Sequence, residues 1–463
     1  MKIGIIFYWR KVMKKEHFVN ILLKLLFIAG LFLYQAGRVA AAPGDLDPGF
    51  GAGGRAITQG GFSEKAYAAA LSADGKIVVA GERAVIGVNG GIVGYQALVA
   101  RFNADGSLDA SFGDGGFVTE ALHGVHSNYY RAVAVQADGK IVAAGYFFES
   151  GDCTGYRPWV VRYNSTGARD TTFGGGDGEV EFLYNCAPQD SSAFNNAIAI
   201  QSNGRIVIAG SAKNDSGTYD FAVARLTAIG APDRSFNLDG LATVSLGAGN
   251  EEAAAVAINP DTGQIILAGY ISNNANHSDF ALVMLTVSGL LDSSFGGTGK
   301  VTTNTGGTDA AAAVAVQADG KIIVAGRQSN TSYGTDFSLA RYNSTGALDA
   351  TFDGDGKVVT AFGEFYDAAF GIALQTDGKA VAAGFGADRN ALLTGYDFAL
   401  SRYNPNGSLD STFSFGGRQM TDFFNHQDYG RAVLVQPDGK IVVAGYRSSD
   451  NGENDIALAR FLP

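Results

Sequence analysis

Short apolar stretches alternate with turn-forming residues along most of this chain, and the alternation itself repeats. One example joins Ala313–Gln317 to Ile322–Ala325 through Asp319–Gly320. Asp-Gly between two β-prone runs predicts a tight hairpin whose two central residues both have positive φ. The turn glycine recurs 57 to 65 residues apart, at Gly75, Gly139, Gly204, Gly263, Gly320, Gly378 and Gly439. This period indicates seven copies of one small supersecondary unit.

Each repeat predicts four short strands, which we label A to D. In the fifth repeat, strands A and B are the two runs above, Asp336–Tyr342 is strand C and Lys357–Thr360 is strand D. Strands B and C carry apolar residues or Ala on both faces, so their sheet should be covered on both sides. Four-stranded antiparallel sheets arranged radially cover one another in this way. We therefore predict an all-β, seven-bladed β-propeller.

The two ends of the chain complement each other. Leu46–Phe50 matches the segment that leads into strand D, whereas Asp455–Phe461 matches strand C. Residues about 44–60 are therefore predicted to complete the last blade as its outer strand. This closure would remove exposed sheet edges.

Three segments resemble the delta-60 repeat family of bacterial β-propeller-like repeats. They are Q-A-D-G-K-I-V-A-A-G at Gln136–Gly145, D-F-A-L-S-R-Y-N at Asp397–Asn404 and G-S-L-D-S-T-F at Gly407–Phe413. The resemblance covers nearly all of residues 44–463 and implies an extracellular or surface repeat protein of a bacterium. It implies no enzymatic activity and no functional residues. The fourth repeat departs most, since Asp261–Gln264 adds one residue to the turn.

The first 42 residues differ in composition from the repeats. They hold seven basic residues and one acidic residue, the apolar run Ile21–Tyr34, and then Ala40, Ala41 and Ala42. This order is typical of a cleaved export signal, and an uncleaved membrane anchor is the alternative. We expect residues 1–42 to be a signal peptide and residues 44–463 to be one propeller domain. The protein would then be secreted or held at the cell surface, with no membrane insertion after signal removal.

The net negative charge limits the class of molecule that the protein can bind. The whole chain has a formal net charge of −11, and residues 43–463 carry 27 basic and 44 acidic side chains. Nucleic acid is excluded as a partner because phosphate binding needs a basic surface. The expected partner is a protein or a glycan, and we expect a monomer.

The chain has two cysteines, Cys153 and Cys186, both in predicted loops of the second repeat. One local pair in an exported chain predicts a disulfide, and two free thiols are the alternative.

An arginine in strand C and an aspartate in the segment that leads to strand D also recur from repeat to repeat. An Asp occupies one position in all seven repeats and an Arg occupies another in six, with Met284 in the fourth. Where the two are consecutive they are eight residues apart, as in Arg402 and Asp410. The Arg and Asp are expected to pair, or the Asp to cap turn amides, and either role is architectural.

Motifs of catalysis and cofactor binding are absent from the sequence. It contains no G-x-S-x-G elbow, phosphate loop or H-E-x-x-H motif. The Gly- and Asp-rich bends, such as Asp353–Gly356, vary too much between repeats to be calcium loops. We therefore expect no cofactor, no metal and no catalytic residues.

The candidate ligand site lies where strand A begins. Five of the seven residues at this position are carboxylates, and the set is Glu64, Asn128, Ala193, Glu251, Asp309, Asp367 and Asp428. Inner strands line a propeller channel, so these residues are expected to ring one mouth beside the variable B–C and D–A loops. The alternative is that each caps loop amides or faces water. Nearby aromatic residues, including Tyr130, Tyr366 and Tyr429, would stack on a sugar or anchor a protein.

Two functions follow from this pattern. The first is a non-catalytic binding or surface-interaction scaffold. The second is a carbohydrate-active or other hydrolytic enzyme that uses paired carboxylates at the channel mouth.

Overall fold

The architecture is the predicted one. The computed structural model describes residues 41–58, 61–121, 127–149, 155–182, 192–274, 277–329, 334–363, 365–387, 395–449 and 452–463. These residues form seven four-stranded antiparallel sheets and no helix. None of them therefore belongs to a helix that is long and apolar enough to cross a membrane. The chain is an all-β, seven-bladed propeller.

The strands are numbered in chain order. The inner A strands are β2 Glu64–Leu71, β6 Asn128–Val135, β10 Ala193–Ile200, β14 Glu251–Ile258, β18 Asp309–Val316, β22 Ala368–Leu374 and β26 Asp428–Val435. The B strands are β3 Ile77–Ile86, β7 Ile141–Glu149, β11 Ile206–Lys213, β15 Ile265–Asn274, β19 Ile322–Ser329, β23 Ala380–Gly386 and β27 Ile441–Ser448. The C strands are β4 Ile92–Phe102, β8 Gly155–Tyr163, β12 Tyr219–Leu226, β16 His277–Leu285, β20 Thr335–Tyr342, β24 Asp397–Tyr403 and β28 Asn454–Phe461. The outer D strands are β5 Phe117–Glu120, β9 Glu179–Glu181, β13 Leu241–Val244, β17 Lys300–Thr303, β21 Lys357–Thr360, β25 Arg418–Thr421 and β1 Arg55–Ile57.

Ring closure by the two ends is confirmed. The last sheet has the order β1-β28-β27-β26, and Arg55, Ala56 and Ile57 pair with Ala459, Leu458 and Ala457. Asp47 accepts a hydrogen bond from Arg460 Nε at 2.9 Å, as Asp410 does from Arg402 within the sixth blade. The N-terminal strand thus completes the seventh blade and covers the free edge of β28.

The A–B turns differ from the predicted type. In the first blade, Gly75 has φ of +81° but Asp74 does not have positive φ. The amide of Ser72 donates to Lys76 O, and the amide of Gly75 donates to Ser72 O. This is a three-residue loop, a type I turn followed by a left-handed glycine, so only the glycine needs positive φ. The extra residue of the fourth repeat lengthens the equivalent loop, where Asn259 N donates to Gln264 O.

The repeated Arg and Asp join neighbouring blades. Arg101 Nε lies 2.7 Å from Asp109 Oδ2, and Asp109 Oδ1 also accepts from the amide and hydroxyl of Ser111. The same guanidinium donates to Ser165 O of the next blade at 2.6 Å and lies over the ring of Phe112 at 4.5 Å. Both expected roles of the pair are therefore present.

Apolar side chains fill the spaces between blades. Strand B residues alternate between the two neighbouring interfaces, so that Val78 and Ala80 face one cluster and Ile77 and Val79 another. Blades covered on both sides explain why strands B and C are apolar throughout. Two predictions fall outside the described residues, namely the signal peptide, of which only residues 41–42 are described, and the Cys153–Cys186 disulfide.

Candidate functional site

Every inner strand contains a β-bulge. The pairing of strand A with strand B shifts by one residue in each blade, for example between Ala66 and Ala68. A bulge leaves the extra residue outside the regular pairing and re-aims its side chain. The seven bulged residues are Tyr67, Arg131, Asn196, Ala254, Ala312, Phe370 and Arg431.

A glycine of strand B makes room for each bulge. A Cβ added at Gly81 would overlap the carbonyl of Lys65, and one added at Gly445 would overlap that of Tyr429. The Ala-Gly pair in strand B of each repeat is therefore the sequence signal of the bulge. The position of this Ala-Gly pair did not reveal the bulge from sequence alone, because a glycine within a strand has several structural causes.

The bulged residues form a ring around the central channel. All seven line a cavity of about 430 Å³ bounded by the seven inner strands. The ring has two unlike halves. Phe370, Arg431, Tyr67 and Arg131 follow one another on blades 6, 7, 1 and 2, whereas Asn196, Ala254 and Ala312 occupy blades 3 to 5. The channel is thus lopsided, with two cations and two aromatic rings facing small side chains.

Both channel arginines are held by aromatic residues. Arg131 lies over the ring of Tyr67 at 3.9 Å and donates to Tyr146 Oη at 3.0 Å. Arg431 lies over Phe370 at 4.3 Å and donates to Tyr446 Oη at 3.1 Å. Neither arginine forms a salt bridge within the described part of the chain. No carboxylate of the described residues therefore contacts either guanidinium, although the charge of Glu82 acts on Arg131 from farther away.

A second cavity of about 400 Å³ adjoins the small-residue half of the channel. The two cavities share Glu252, Ala254, Ala312 and Phe370. The second cavity also reaches Tyr270, Ser278 and Arg327. Glu252 accepts hydrogen bonds from Asn196 Nδ2 and Tyr270 Oη, both at 3.1 Å. An acidic group, a basic group and two hydroxyl groups therefore border a space that the small alanine side chains leave open.

The predicted carboxylate ring is placed differently from the expectation. Glu64, Asn128, Glu251, Asp309, Asp367 and Asp428 are all buried. Four of them accept hydrogen bonds from the D–A loop that precedes them: Leu246 N to Glu251, Thr305 N to Asp309, Phe362 N to Asp367 and Phe423 N to Asp428. Glu64 instead pairs with Arg83 at 2.6 Å. Capping, the alternative weighed above, is the structural role of these four carboxylates, and ligand binding by the whole set stays a prediction.

The predicted aromatic residues occupy three different environments. Tyr130 is fully buried, stacks on Trp159 at 5.1 Å and shares a 2.6 Å hydrogen bond with Tyr163 Oη. Its expected place at the mouth is therefore wrong, because it packs between blades. Tyr366 is 49% exposed on a D–A loop. Tyr429 lies next to the channel residues of blades 6 and 7, and its ring centroid is 5.0 Å from that of Tyr446 and 5.2 Å from that of Phe385. Burial raises the pKa of Tyr429 to about 12.

Neighbouring blades bring a second carboxylate close to several caps. Burial raises the pKa of Asp367 to about 6, against the lowering effect of the amides of Phe362, Ala387 and Gly363, and the charge of Asp336 on β20 adds to the rise. Burial also raises the pKa of Glu251, with the charge of Asp220 contributing, and that of Asp309, with Asp279 contributing. Strand C of one blade thus places an acidic residue beside the cap of the next.

The substitution Asp367→Asn is expected to change the pH dependence of stability. The folded pKa of about 6 lies above the ordinary 3.8, so the contribution of Asp367 is fully present below pH 3.8 and is lost as pH rises through 6. The loss amounts to roughly 3 kcal/mol, and an asparagine does not titrate. Melting temperatures from pH 4 to 8 should therefore shift in favour of the variant as pH rises.

The control for this substitution is Asp355→Asn, at an exposed turn. A constant difference between Asp367→Asn and the unmodified protein across this pH range would contradict the prediction.

Comparison with solved structures found distant likenesses. A protein of unknown function from Dyadobacter fermentans DSM 18053 has a TM-score of 0.45 and 12% identity, over 90% of this chain and 100% of that chain. The NanB sialidase from Streptococcus pneumoniae has a TM-score of 0.42 and 11% identity, over 88% of this chain and 70% of that chain. Drosophila Plexin A, in complex with Semaphorin 1b, has a TM-score of 0.44 and 9% identity, over 90% of this chain and 88% of that chain. These scores carry no information on activity.

No curated protein matches the sequence. A family model described as "Domain of unknown function (DUF5122) beta-propeller" does match, once in each repeat. The matched residues are 72–112, 136–173, 201–236, 261–295, 317–352, 375–413 and 436–463. They make up more than half of the chain and contain the turn glycine of every A–B turn, and the chain therefore belongs to the DUF5122 beta-propeller family.

Proposed function

We propose that this protein is an exported, non-catalytic propeller that binds a ligand in its central channel, at the end that carries the variable B–C and D–A loops. One observation carries the proposal, namely the lopsided ring of bulged residues. Arg131 and Arg431 face the channel without a carboxylate partner among the described residues, and Ala254 and Ala312 leave space opposite them. Export and the delta-60 repeat type belong to the same proposal and rest on the N-terminal pattern and the repeat motifs.

The chemistry of the ring favours an acidic glycan as the ligand. The guanidinium groups of Arg131 and Arg431 suit a carboxylate or sulfate, which an arginine binds with charge-assisted hydrogen bonds. Tyr67 and Phe370, which already hold the two arginines against one ring face each, add apolar surface of the channel wall for contact with a sugar. Glu252, Tyr270 and Arg327 offer hydrogen-bonding groups to hydroxyls in the adjoining cavity.

Hydrolysis of a glycosidic bond is the second candidate, and the lining of the site makes it the weaker one. Such hydrolysis generally uses two carboxyl groups about 5–10 Å apart on either side of the bond. Among the described residues that line the channel and the adjoining cavity, Glu252 is the one carboxylate. The carboxylates at the start of strand A are buried, and those of Glu251, Asp309, Asp367 and Asp428 hold loop amides.

A glycan array followed by calorimetric titration tests the proposal. We expect binding of acidic glycans in preference to their neutral counterparts. The double substitution Arg131→Gln and Arg431→Gln should weaken this binding by about 10- to 100-fold, since hydrogen bonds to charged groups contribute about 1.5–3 kcal/mol.

The matched control is Arg234→Gln, which removes an exposed arginine from a C–D turn outside the channel. Its glycan affinity should equal that of the unmodified protein. Equal binding by the double variant, or no binding of any acidic glycan, would contradict the proposal. Release of a cleaved sugar that stops with Glu252→Gln would favour the enzyme instead.

A further inference from the structure

One junction between blades carries an acidic residue where another carries an amide. The first residue after strand D is Asn304 at the junction of blades 4 and 5 and Asp422 at the junction of blades 6 and 7. Asn304 Nδ2 donates a hydrogen bond to Asp279 Oδ1 at 3.0 Å, which satisfies the strand C carboxylate of that junction. An ionised Asp422 has no proton to donate to the equivalent carboxylate, that of Asp397.

Three carboxylates meet at the junction of blades 6 and 7. One oxygen from each of Asp397, Asp422 and Asp428 lies within 4.8 Å of the other two. Ligand oxygens lie 2.3–2.6 Å from a bound Ca²⁺ ion, so two oxygens on opposite sides of the ion are about 4.6–5.2 Å apart. The spacing of the three oxygens therefore fits a single ion between them.

A buried oxygen independently indicates that the cluster lacks a partner. Asp428 is fully buried, and its Oδ2 accepts a 2.6 Å hydrogen bond from Phe423 N. Its Oδ1 is also buried, yet it accepts no hydrogen bond from any described residue. In the preceding junction the equivalent Asp367 uses both oxygens, accepting from Phe362 N and Ala387 N. At the junction of blades 4 and 5 the Oδ1 of Asp309 is also buried without a hydrogen bond from a described residue, but Asn304 stands there in place of a third carboxylate. A buried polar atom without a partner is costly unless something else binds it.

Neighbouring cations only partly compensate the negative charge of this acidic cluster. Burial and the charges of Asp397 and Asp422 raise the pKa of Asp428 to about 8, although the nearby Arg447 on β27 acts to lower it. The guanidinium of Arg447 donates to Asp455 at 2.9 and 3.1 Å and lies over the ring of Phe424 at 5.5 Å. Asp397 and Asp422 are only half-buried, so an ion has a route to the cluster from solvent.

We propose that Asp397, Asp422 and Asp428 bind one calcium ion at the junction of blades 6 and 7. An oxygen-only ligand set suits a hard cation, and Ca²⁺ tolerates irregular geometry better than Mg²⁺. The ion would take the place that the Asn304 amide fills between blades 4 and 5. It would hold the D–A loop at 422–427 against strand C of the sixth blade, on the face that carries the variable loops.

Calcium titration of the purified protein tests this site, with melting temperature and calorimetric heat as the two readouts. Calcium should bind at one site with a Kd on the order of 10⁻⁵–10⁻³ M. Millimolar calcium should raise the melting temperature by about 2 °C or more relative to the protein in chelator.

Two variants make the test specific, because each places at position 422 the residue that another junction has at the equivalent position. Asp422→Asn reproduces Asn304, and Asp422→Ser reproduces Ser245 at the junction of blades 3 and 4. Both should fold, weaken calcium binding at least about 10-fold and lose the melting shift, and the chelated Asp422→Asn protein should melt above the chelated unmodified one. The control Asp355→Asn, in an exposed Gly-rich bend, should keep the full response.

Absence of a calcium-dependent shift and of calorimetric heat in the unmodified protein would overturn the proposal. An undiminished calcium affinity in both Asp422 variants, or loss of the response in Asp355→Asn, would overturn it as well.

Discussion

Removal of residues 44–58 is expected to lower the melting temperature by about 10 °C or more, or to cause aggregation on heating. The segment supplies β1, the fully buried Phe50 and the carboxylate of Asp47. Its loss exposes the edge of β28. It also removes Asp47, the carboxylate that pairs with the buried guanidinium of Arg460. Because the ends close the ring, the damage should extend to the interfaces on both sides of the seventh blade.

Thermal melting of the protein with and without this segment measures the effect. A synthetic peptide of residues 43–58, added in trans, should restore part of the lost stability because it can pair with β28, whereas a scrambled peptide should not. Unchanged melting after the deletion would show that closure by the N-terminal strand does not stabilise the ring.

The substitution Asp410→Ala is expected to lower the free energy of unfolding by about 3–5 kcal/mol, the usual cost of removing one partner of a buried ion pair. Asp410 Oδ2 lies 2.9 Å from Arg402 Nε and 3.3 Å from Lys379 Nζ, and Arg402 is 3% exposed. Burial opposes ionisation of Asp410, but hydrogen bonds from Thr412 and the charge of Arg402 hold its pKa at about 2. Its stabilising contribution is therefore present above pH 3.8 and is lost as pH falls through about 2.

The fourth blade provides the control for this substitution, because Met284 replaces the arginine there. Asp292 accepts hydrogen bonds from the amide and hydroxyl of Ser294, at 3.0 and 2.6 Å, and from Gln264. Asp292→Ala leaves no guanidinium behind and should cost only about 1 kcal/mol. Urea denaturation at pH 7 compares the two variants, and equal losses would contradict a role for the ion pair.

The fold could be predicted almost completely, because the information that specifies it is local and repeated. The A–B turn, the Arg–Asp spacing and the apolar character of strands B and C each recur in nearly every repeat. Ring closure followed from comparing the two ends, since each lacks what the other supplies. The turn type was wrong because Asp-Gly is compatible with more than one hairpin geometry, and the amide of Gly75 decides between them.

The candidate site was predicted less well. Glu64, Glu251, Asp309, Asp367 and Asp428 were correctly singled out as a repeated set, yet the structure buries them. Sequence does not say whether a carboxylate at a strand end faces water or turns back to a loop amide. Tyr130 was predicted to lie at the mouth, although it packs on Trp159 between blades. The sequence does not say whether an aromatic residue near a strand end faces a loop or a neighbouring blade.

The sequence by itself determined the number of blades and the strands within each blade, because turns and strand faces depend on residues close together in the chain. It also determined the closure of the ring, because each end carries the part of the repeat that the other end lacks. Only the tertiary structure decided which side chains enter the channel and which acids converge. A one-residue bulge turns Arg131 and Arg431 inward, and the packing of one blade on the next brings Asp397 to Asp428. Both depend on register and on contacts between separate repeats, and a one-residue shift in register reverses the direction of a strand side chain.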